Sequence, residues 1–448
     1  GIAEVLRVSE VQLEVSGCDL VESEVTRHLC DRGVEVLLGH SADHVRDAEL
    51  VVISSAVGED NEEVQAARRR GIPVIRRAEM LAELMRLKYG IAIAGTHGKT
   101  TTTSLVGTLL TEAGLDPTVI VGGRLRVSGT GARLGNSDYL VVEADEFDRS
   151  FLRLQPIVAV VTSIDLDHLD TYRDLEDIQD AFVNFASRVP FFGRAIVCLD
   201  DPRIQEILPL LADRRIVTYG LSRQADLMAF GLETTPNGCR FRVRHAQDGV
   251  LGELELPMPG AHNVQNSLAA VAVGLMLGVD FDTIASTLGG FSGVHRRFER
   301  LGSWHEAAVV DDYAHHPTEV AATLSAAREA FPSASIHAVF QPHLFSRTRD
   351  LADEFGRALL GADRVLVTPI YPSREQPIEG VTSDLVIEAA RRSGHRRVEH
   401  VEDRAAATER LAAVVAPGDL VITLGAGDIY RLAEDLVEQS AVGKDGAS

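Results

Sequence analysis

The chain has 448 residues, 45 % of them hydrophobic and 25 % charged, a balance typical of soluble globular proteins that excludes a disordered or fibrous chain. Its 66 acidic residues outnumber its 44 basic ones and leave a net charge of −22, which argues against a protein that coats nucleic acid or an anionic membrane. A small anionic ligand is not excluded, because a few backbone amides and one cation can hold a phosphate on an acidic surface.

Alternating apolar runs and amphipathic segments predict three successive β/α units, and therefore an α/β fold of three doubly wound, Rossmann-like domains. In the first unit we expect a helix at about 78–88 and strands at 12–15, 34–38 and 50–54. In the second we expect helices at 100–113 and 264–277 and strands at 91–94, 139–143, 157–162 and 195–199. In the third we expect helices that begin near 317, 347, 383 and 404 and strands at 307–311, 336–340, 364–368 and 419–424. The predicted domains are therefore 1–88, 89–291 and 292–448, the central one a P-loop ATPase-type parallel sheet.

The four cysteines lie far apart and form no C-x-x-C pair, which predicts reduced thiols. No apolar run approaches the roughly 18 residues of a membrane span, and the first residues lack the basic start and apolar stretch of a signal peptide. The sequence therefore predicts a cytoplasmic protein.

A glycine-rich turn between the strand at 91–94 and the helix at 100–113 has the character of a phosphate-binding loop. It reads Gly-Thr-His-Gly-Lys-Thr, from Gly95 to Thr100. Glycines let backbone N–H groups curl around phosphate oxygens, and the helix N-terminus favours negative charge. We expect Lys99 to reach the outer phosphates and the Thr100 hydroxyl to bind Mg²⁺. Ile93 stands where the common phosphate-loop pattern has its first glycine, so a plain turn is the alternative interpretation. The chain has only three lysines, and the presence of one of them, Lys99, at this turn favours a function.

Two further positions near strand ends are candidate metal ligands. Glu143 ends a strand at the expected carboxyl edge of the sheet, where an oxygen ligand suits Mg²⁺, although a surface carboxylate is the alternative. His168 follows the strand at 157–162, and a lone histidine is more often a hydrogen-bonded structural residue than a ligand. Zinc is not expected, because no Cys/His set has the necessary spacing.

Several short motifs, in this order, resemble the Mur ligase family of amino-acid-adding enzymes over essentially the whole chain. Besides the loop, they are Glu143-Ala144-Asp145-Glu146, Asp167-His168-Leu169-Asp170, His262-Asn263-Val264-Gln265-Asn266, His295-Arg296-Arg297-Phe298-Glu299, Asp311-Asp312-Tyr313-Ala314-His315-His316-Pro317-Thr318-Glu319, Phe340-Gln341-Pro342-His343 and Ser346-Arg347-Thr348-Arg349-Asp350.

The resemblance is greatest to the members that add L-alanine, and it implies an enzyme of peptidoglycan synthesis. ATP would phosphorylate the carboxylate of UDP-N-acetylmuramate, and the amine of L-alanine would then displace phosphate from the acyl phosphate. The implied cofactors are ATP, as co-substrate, and Mg²⁺. The implied partners are the two small-molecule substrates, with no nucleic acid or membrane, in a monomer or homodimer. Several relatives carry a carbamoylated lysine after the position of His168; here no lysine lies between Lys99 and Lys444, which agrees with alanine addition.

Carried over position by position, the resemblance implies roles for four groups of residues. ATP would be contacted by Gly95, Thr96, His97, Gly98, Lys99, Thr100, Thr101, Asn263, Asn266, Arg297 and Asp312, the last at the ribose. Catalysis would depend on Lys99, Glu143 and His168, and metal would be held by Thr100, Glu143 and His168. The UDP-sugar would be bound by Ser16, Asp19, His40, Ser54, Ser55, Arg77 (or Arg76), Gly122 and Gly123. The amino-acid site would comprise Tyr313, His315, His316, His343 and Arg347.

Two departures from the family pattern are present. The family's first strand and glycine-rich loop are expected before Gly1, so we expect an incomplete first domain with weakened UDP binding. Leu344 stands where an arginine is common in relatives. Two alternatives therefore remain open: a ligase that recycles a murein peptide by joining it to the same nucleotide sugar, and a nucleotide-binding module without catalysis.

Overall fold

The computed structural model describes residues 2–8, 13–54, 57–122, 131–167, 171–373 and 375–445. The α/β fold predicted from the sequence is confirmed, with two large sheets that are mostly parallel. The chain divides into two compact units. The first unit comprises Gly1–Phe230, Arg242–Gly252 and Gln265–Leu288; the second comprises Gly231–Phe241, Glu253–Val264 and Gly289–Ser448.

The N-terminal part of the first unit has two separate two-stranded parallel sheets, β1 with β2 and β3 with β4. Its elements are α1 (Ile2–Val8), β1 (Ser16–Asp19), α2 (Glu24–Asp31), β2 (Glu35–Leu38), β3 (Val51–Ile53), α3 (Glu62–Arg69), β4 (Val74–Arg76) and α4 (Arg77–Arg86). The strand predicted at 12–15 is wrong: residues 13–15 have no regular structure, and 12 lies outside the described residues. The polar segment that follows is the strand instead, because its pairing with β2 in the register Ser16↔Glu35 outweighs its low strand propensity.

A ten-stranded sheet follows, in the order β14-β13-β12-β11-β10-β9-β5-β8-β6-β7. Its strands and the helices around them are β5 (Tyr89–Ala94), α5 (Lys99–Glu112), β6 (Thr118–Ile120), β7 (Ala132–Arg133), β8 (Tyr139–Glu143), β9 (Val158–Val161), α6 (Leu175–Ala186), β10 (Arg194–Cys198), α7 (Pro202–Ile207), β11 (Ile216–Gly220), β12 (Leu227–Thr235), β13 (Gly238–His245), β14 (Gly249–Leu256), α8 (Ala261–Met276) and α9 (Phe281–Gly289). β5 lies between β8 and β9 and runs parallel to both. Its last four residues, 91–94, are completely buried, as expected for a central parallel strand covered on both faces.

The remaining elements belong to the second unit and form a six-stranded sheet in the order β15-β16-β20-β17-β18-β19. They are β15 (Glu299–Trp304), β16 (Ala307–Asp312), α10 (Pro317–Ala330), β17 (Ile336–Phe340), α11 (Phe345–Asp350), α12 (Ala352–Ala358), β18 (Arg364–Val367), α13 (Asp384–Arg392), β19 (Val398–His400), α14 (Arg404–Ala412), β20 (Leu420–Leu424) and α15 (Tyr430–Asp445). One apolar cluster joins Val310 and Phe340 to α10, α12 and α13; the other joins Val309 and Val339 to α14 and α15. Adjacent residues of a strand thus face opposite layers, which makes this sheet doubly wound.

Each of the two large, mostly parallel sheets has an antiparallel strand at an edge. β7 runs antiparallel to β6, and β15 runs antiparallel to β16. A strand joined to its neighbour by a short connection pairs antiparallel, and the two residues between β15 and β16 leave no room for a crossover helix. Among the described residues, no helix is both long and apolar enough to cross a bilayer.

Candidate active site

The loop between β5 and α5 bends sharply at two glycines. Gly95 has a φ of 137° and Gly98 a φ of 81°, both in the region that side chains disfavour. A Cβ at Gly95 would collide with Thr162 Oγ1, and a Cβ at Gly98 would lie 2.5 Å from Asn266 Oδ1. Both positions therefore require glycine for two reasons: the backbone conformation and the close approach of a neighbouring side chain.

Backbone and side-chain hydrogen bonds fasten the loop to the segment after β9. Thr96 N donates to the Ser163 carbonyl oxygen over 3.0 Å, and Asp165 N donates to Thr96 Oγ1 over 2.8 Å. His97 N donates to Ser163 Oγ over 3.0 Å, and His97 Nε2 lies 3.1 Å from Asp165 Oδ2. Thr101, also predicted to contact ATP, lies buried on the first turn of α5. The side chains of Thr96 and His97 therefore fix the loop in its bent form.

Lys99, the first residue of α5, folds its ammonium group back into the loop. Its Nζ donates to the Gly95 carbonyl oxygen over 2.7 Å and to the Thr96 carbonyl oxygen over 3.2 Å. It also forms an ion pair with Glu146, at 2.8 Å to Oε2 and 2.9 Å to Oε1. Burial lowers the pKa of Lys99, but the charges of Glu146, Asp145 and Glu143 outweigh it, so the pKa lies above its usual value. Lys99 is therefore a largely buried group, with a side chain 14 % exposed, whose charged form is favoured.

Thr100 and Glu143 meet at the carboxyl ends of β5 and β8. Thr100 Oγ1 donates to Glu143 Oε1 over 3.0 Å, and Gly122 N donates to Glu143 Oε2 over 2.7 Å. A hydroxyl and a carboxylate oxygen side by side are the donor set that Mg²⁺ prefers, so these two residues fit the predicted metal. The third predicted ligand, His168, lies outside the described residues.

The predicted UDP-sugar residues lie at strand ends in the N-terminal part of the first unit. Ser16 and Asp19 are the exposed ends of β1, and His40 lies beside that strand, with Nδ1 3.4 Å from Cys18 Sγ. Ser54 follows β3, and its carbonyl oxygen accepts a hydrogen bond of 3.4 Å from Arg76 Nη1.

The other members of this group lie apart from those strand ends or are not described. Arg77 is exposed at the first position of α4. Gly122 lies instead at Glu143, next to the phosphate loop. Ser55 and Gly123 lie outside the described residues.

The predicted ATP residues are divided between the two units. Asn266 lies in the first unit, where its Oδ1 accepts a 3.2 Å hydrogen bond from Thr102. Asn263 lies in the second, and its Nδ2 donates to the Pro259 carbonyl oxygen over 2.8 Å. Also in the second unit, Arg297 places its guanidinium carbon 5.1 Å from the Tyr313 ring centroid.

In the second unit, the buried Asp312 and the half-buried His262 have pKa values shifted towards their neutral forms. The two carboxylate oxygens of Asp312 accept backbone N–H groups of Phe298 and Ala314, each over 2.7 Å. Burial raises the pKa of Asp312 to about 6, against the opposing charge of Arg297. Burial lowers the pKa of His262 to about 4; Arg297 lowers it further and Glu319 opposes this.

The predicted amino-acid residues include a row of aromatic rings. The ring centroids of Tyr313 and His315 are 5.3 Å apart, and those of His315 and His343 are 5.8 Å apart. His343 also stacks on Tyr371 at 5.9 Å and an interplanar angle of 12°. The structure thus brings three of the five predicted residues together and adds Tyr371.

The other two predicted residues have helix positions. His316 is the N-cap of α10, where its side chain accepts a hydrogen bond from Thr318 N. Glu319 completes this cap by accepting the backbone N–H groups of His315 and His316 over 3.0 and 3.3 Å. Arg347 is buried on α11. Leu344, the residue before this helix, has a φ of 69°.

Reasoning from the sequence missed two charged residues, one in each unit, although both stand inside the quoted motifs. Glu146 is buried and is the ion-pair partner of Lys99. Arg296 is buried as well; its Nε donates to Asp311 over 2.9 Å, and its guanidinium carbon lies 5.0 Å from the Tyr313 ring and 4.6 Å from the Tyr430 ring. The sequence did contain a signal for both residues: Glu146 follows the chosen Glu143 by three positions, and Arg296 is adjacent to the chosen Arg297.

Three regions of the chain match models of one family. Residues 11–89 match the Mur ligase family, catalytic domain; 93–274 match the Mur ligase middle domain; and 296–427 match the Mur ligase, glutamate ligase domain. The chain is 51 % identical over 439 residues to a UDP-N-acetylmuramate–L-alanine ligase of Geotalea uraniireducens (strain Rf4), with 98 % of this chain and 95 % of the relative covered. It is 50 % identical over 445 residues to the enzyme of that name from Geobacter sp. (strain M21), with 99 % and 96 % covered.

A solved structure is also similar to this chain. The crystal structure of a UDP-N-acetylmuramate-alanine ligase from Thermotoga maritima has a TM-score of 0.77 and 29 % identity, and the match covers 96 % of this chain and 94 % of that one.

Replacing Glu146 with Gln is expected to destabilise the protein by about 3 kcal/mol, because it leaves the Lys99 ammonium buried without its carboxylate partner. The matched control is Asp145→Asn, which removes an exposed charge from the adjacent position. The midpoint of urea unfolding measures both. Equal, small shifts in the two variants would show that the ion pair does not stabilise the loop.

Replacing His262 with Gln is expected to make stability less dependent on pH. Histidine in the unfolded chain gains a proton near pH 6.5, whereas folded His262 stays neutral until about pH 4, so its contribution is present above pH 6.5 and lost as pH falls towards 4. The loss amounts to about 3 kcal/mol. The urea midpoint should therefore fall further between pH 7 and pH 4 for the unmodified protein than for the variant. An equal fall in both proteins would contradict the shifted pKa of His262.

Proposed function

Because the chain belongs to the Mur ligase family, we propose that it joins L-alanine to the muramyl carboxylate of UDP-N-acetylmuramate, with ATP converted to ADP and phosphate, in peptidoglycan synthesis. One observation carries this function: about 50 % identity to alanine-adding ligases over nearly the whole of both chains. The bent loop with Lys99, Thr100 and Glu143 supplies the matching chemistry, a place for the phosphates of ATP.

The chemistry needs a phosphate donor because a free carboxylate is a poor electrophile. A muramyl carboxylate oxygen attacks the γ-phosphorus of ATP, ADP leaves, and the product is an acyl phosphate. The amine of L-alanine then attacks the acyl carbon, and phosphate leaves as the amide bond forms. Negative charge gathers around the transferred phosphoryl group, so catalysis requires positive charge fixed beside it.

We assign this charge to Lys99. Its ammonium is held within the loop by two carbonyl oxygens and Glu146, so it is in place before nucleotide arrives. The N–H groups of the loop and the start of α5 would bind phosphate oxygens. A phosphate oxygen would then join or replace the carbonyl partners of Lys99, whereas Glu146 keeps the ammonium oriented.

We assign Mg²⁺ to Thr100 and Glu143, whose oxygens lie 3.0 Å apart. Mg²⁺, when bound, would neutralise charge on the phosphates. Glu143 is kept in position by the N–H of Gly122. His168 remains a predicted ligand.

For the second unit we propose two groups with separate tasks. Asn263, Arg297 and Asp312 are assigned to ATP, with Asn266 of the first unit. Tyr313, His315, His316, His343 and Arg347 are assigned to L-alanine, where a guanidinium such as that of Arg347 can pair with a carboxylate through two hydrogen bonds. Ser16, Asp19, His40, Ser54 and Arg77 are assigned to the UDP-sugar.

We also propose three domains with boundaries near residues 88 and 291, which the matched spans 11–89, 93–274 and 296–427 support. We also propose a cytoplasmic location, which four cysteines without disulfide bonds would suit. A monomer or homodimer remains the prediction for the assembly.

Phosphate release should require UDP-N-acetylmuramate, ATP and L-alanine together. We expect the purified chain to turn over L-alanine in preference to a murein tripeptide, with both acceptors tested at equal concentration and the amide product identified by mass spectrometry. Faster turnover of the tripeptide would favour the recycling activity. ATP binding in calorimetry without product from any acceptor would favour a non-catalytic module.

Replacing Lys99 with Ala should lower kcat by about 100-fold or more, because the charge beside the transferred phosphoryl group is lost. Lys88→Ala is the matched control: Lys88 is also a lysine of the first unit, but its Nζ contacts the Ser137 carbonyl oxygen at 2.9 Å, outside the loop. Circular dichroism establishes that both variants fold. Retained turnover in the Lys99 variant would refute the role assigned to this residue.

A further inference from the structure

Four metal-binding side chains gather in the N-terminal part of the first unit, and we name them the Cys18 cluster: Cys18, His40, His44 and Glu63. Cys18 Sγ donates to Glu63 Oε2 over 2.8 Å, and His44 Nδ1 lies 2.7 Å from Glu63 Oε1. His40 Nδ1 lies 3.4 Å from Cys18 Sγ and 3.2 Å from Glu63 Oε2. One donor atom from each of Cys18, His44 and Glu63 lies within 4.8 Å of the other two.

The backbone explains why these residues meet. Cys18 is on β1, His40 and His44 follow the parallel strand β2, and Glu63 is the second residue of α3. The carboxyl ends of parallel strands share one edge, so a residue near the end of β1 lies next to the turn after β2. The two histidines stand four residues apart in that turn.

Glu63 is the central member of the Cys18 cluster. Its side chain is only 9 % exposed, and besides the cluster contacts Oε1 accepts the Ser41 backbone N–H over 3.3 Å. Burial raises the pKa of Glu63, but the hydrogen bonds from Cys18, His44 and Ser41 outweigh this and hold it below its usual value. A buried carboxylate is thus held by a neighbouring backbone group, as ligating carboxylates are.

The chemistry of the Cys18 cluster matches one class of cation. A sulfur, two ring nitrogens and a carboxylate oxygen are the ligand types of zinc, whereas Mg²⁺ and Ca²⁺ take oxygen ligands. Bond lengths to zinc imply separations between ligand atoms of roughly 3.3–3.6 Å in a tetrahedral site. The distances from His40 to Cys18 and to Glu63 are close to that range. The distances from Glu63 to Cys18 and to His44 would have to lengthen by less than about 1 Å.

We propose that the Cys18 cluster binds a divalent cation of the zinc class through Cys18 Sγ, a Glu63 oxygen and a His44 nitrogen, with His40 as the fourth ligand. Binding replaces the S–H bond of Cys18 with a metal–sulfur bond and releases the proton to solvent. The histidine side chains are 26 % and 22 % exposed, which gives the cation a path of entry. This site is distinct from the magnesium ligands, and it shares His40 with the residues assigned to the UDP-sugar.

Cobalt titration tests the proposal, because Co²⁺ replaces Zn²⁺ and its spectrum reports the ligands. The metal-free full chain, without nucleotide or sugar, should develop a thiolate-to-cobalt charge-transfer band in the near ultraviolet, saturating at one equivalent. The visible bands should have the intensity of tetrahedral coordination, and Zn²⁺ should abolish all of them. A wild-type chain without the charge-transfer band at saturating cobalt would overturn the proposal.

Variants assign the ligands. Cys18→Ser should lose the charge-transfer band, whereas Cys30→Ser, which alters the exposed cysteine of α2, should keep it. His44→Ala should weaken cobalt binding at least about tenfold. A band that persists in Cys18→Ser, or vanishes in Cys30→Ser, would show that another thiol binds the metal and that the Cys18 cluster is only a hydrogen-bonded group.

Discussion

Lys99 holds a positive charge inside the protein, and the shape of the phosphate loop follows from the need to surround it. Two loop carbonyl oxygens and the carboxylate of Glu146 lie within hydrogen-bond distance of its Nζ. The loop bends at Gly95 and Gly98, which both take up positive φ angles. The bent loop thus surrounds the charge of Lys99 and leads directly into α5, where Thr100 meets Glu143.

The fold was predictable where neighbouring residues alone decide the structure. β5, β8 and β17 are short apolar runs buried on both faces, and the predicted ranges agree with them to within two residues. β1 was not predictable, because a polar segment becomes a strand only through its pairing with β2. β13 was missed although its sequence alternates, with Phe241 buried between the exposed Arg240 and Arg242.

The candidate site also contains features that the sequence could predict and features that it could not. The meeting of Thr100 and Glu143 was predictable because parallel strands place their carboxyl ends on one edge. Tyr371 was not, since its contact with His343 arises from two loops distant in sequence. The Cys18 cluster was not predictable from cysteine and histidine spacing, because Glu63 lies 45 residues beyond Cys18, a separation that no short spacing rule examines.

The turn before α10 both caps that helix and contains residues that we assign to the amino-acid site. His316 and Glu319 close the end of the helix, and the same turn carries residues assigned to the amino acid. If these residues bind the amino acid as proposed, a mutation here that alters acceptor choice would also fray the helix, so selectivity and stability would change together. An engineer who wants a new acceptor would begin instead at His343 and Tyr371, whose rings stack outside this turn.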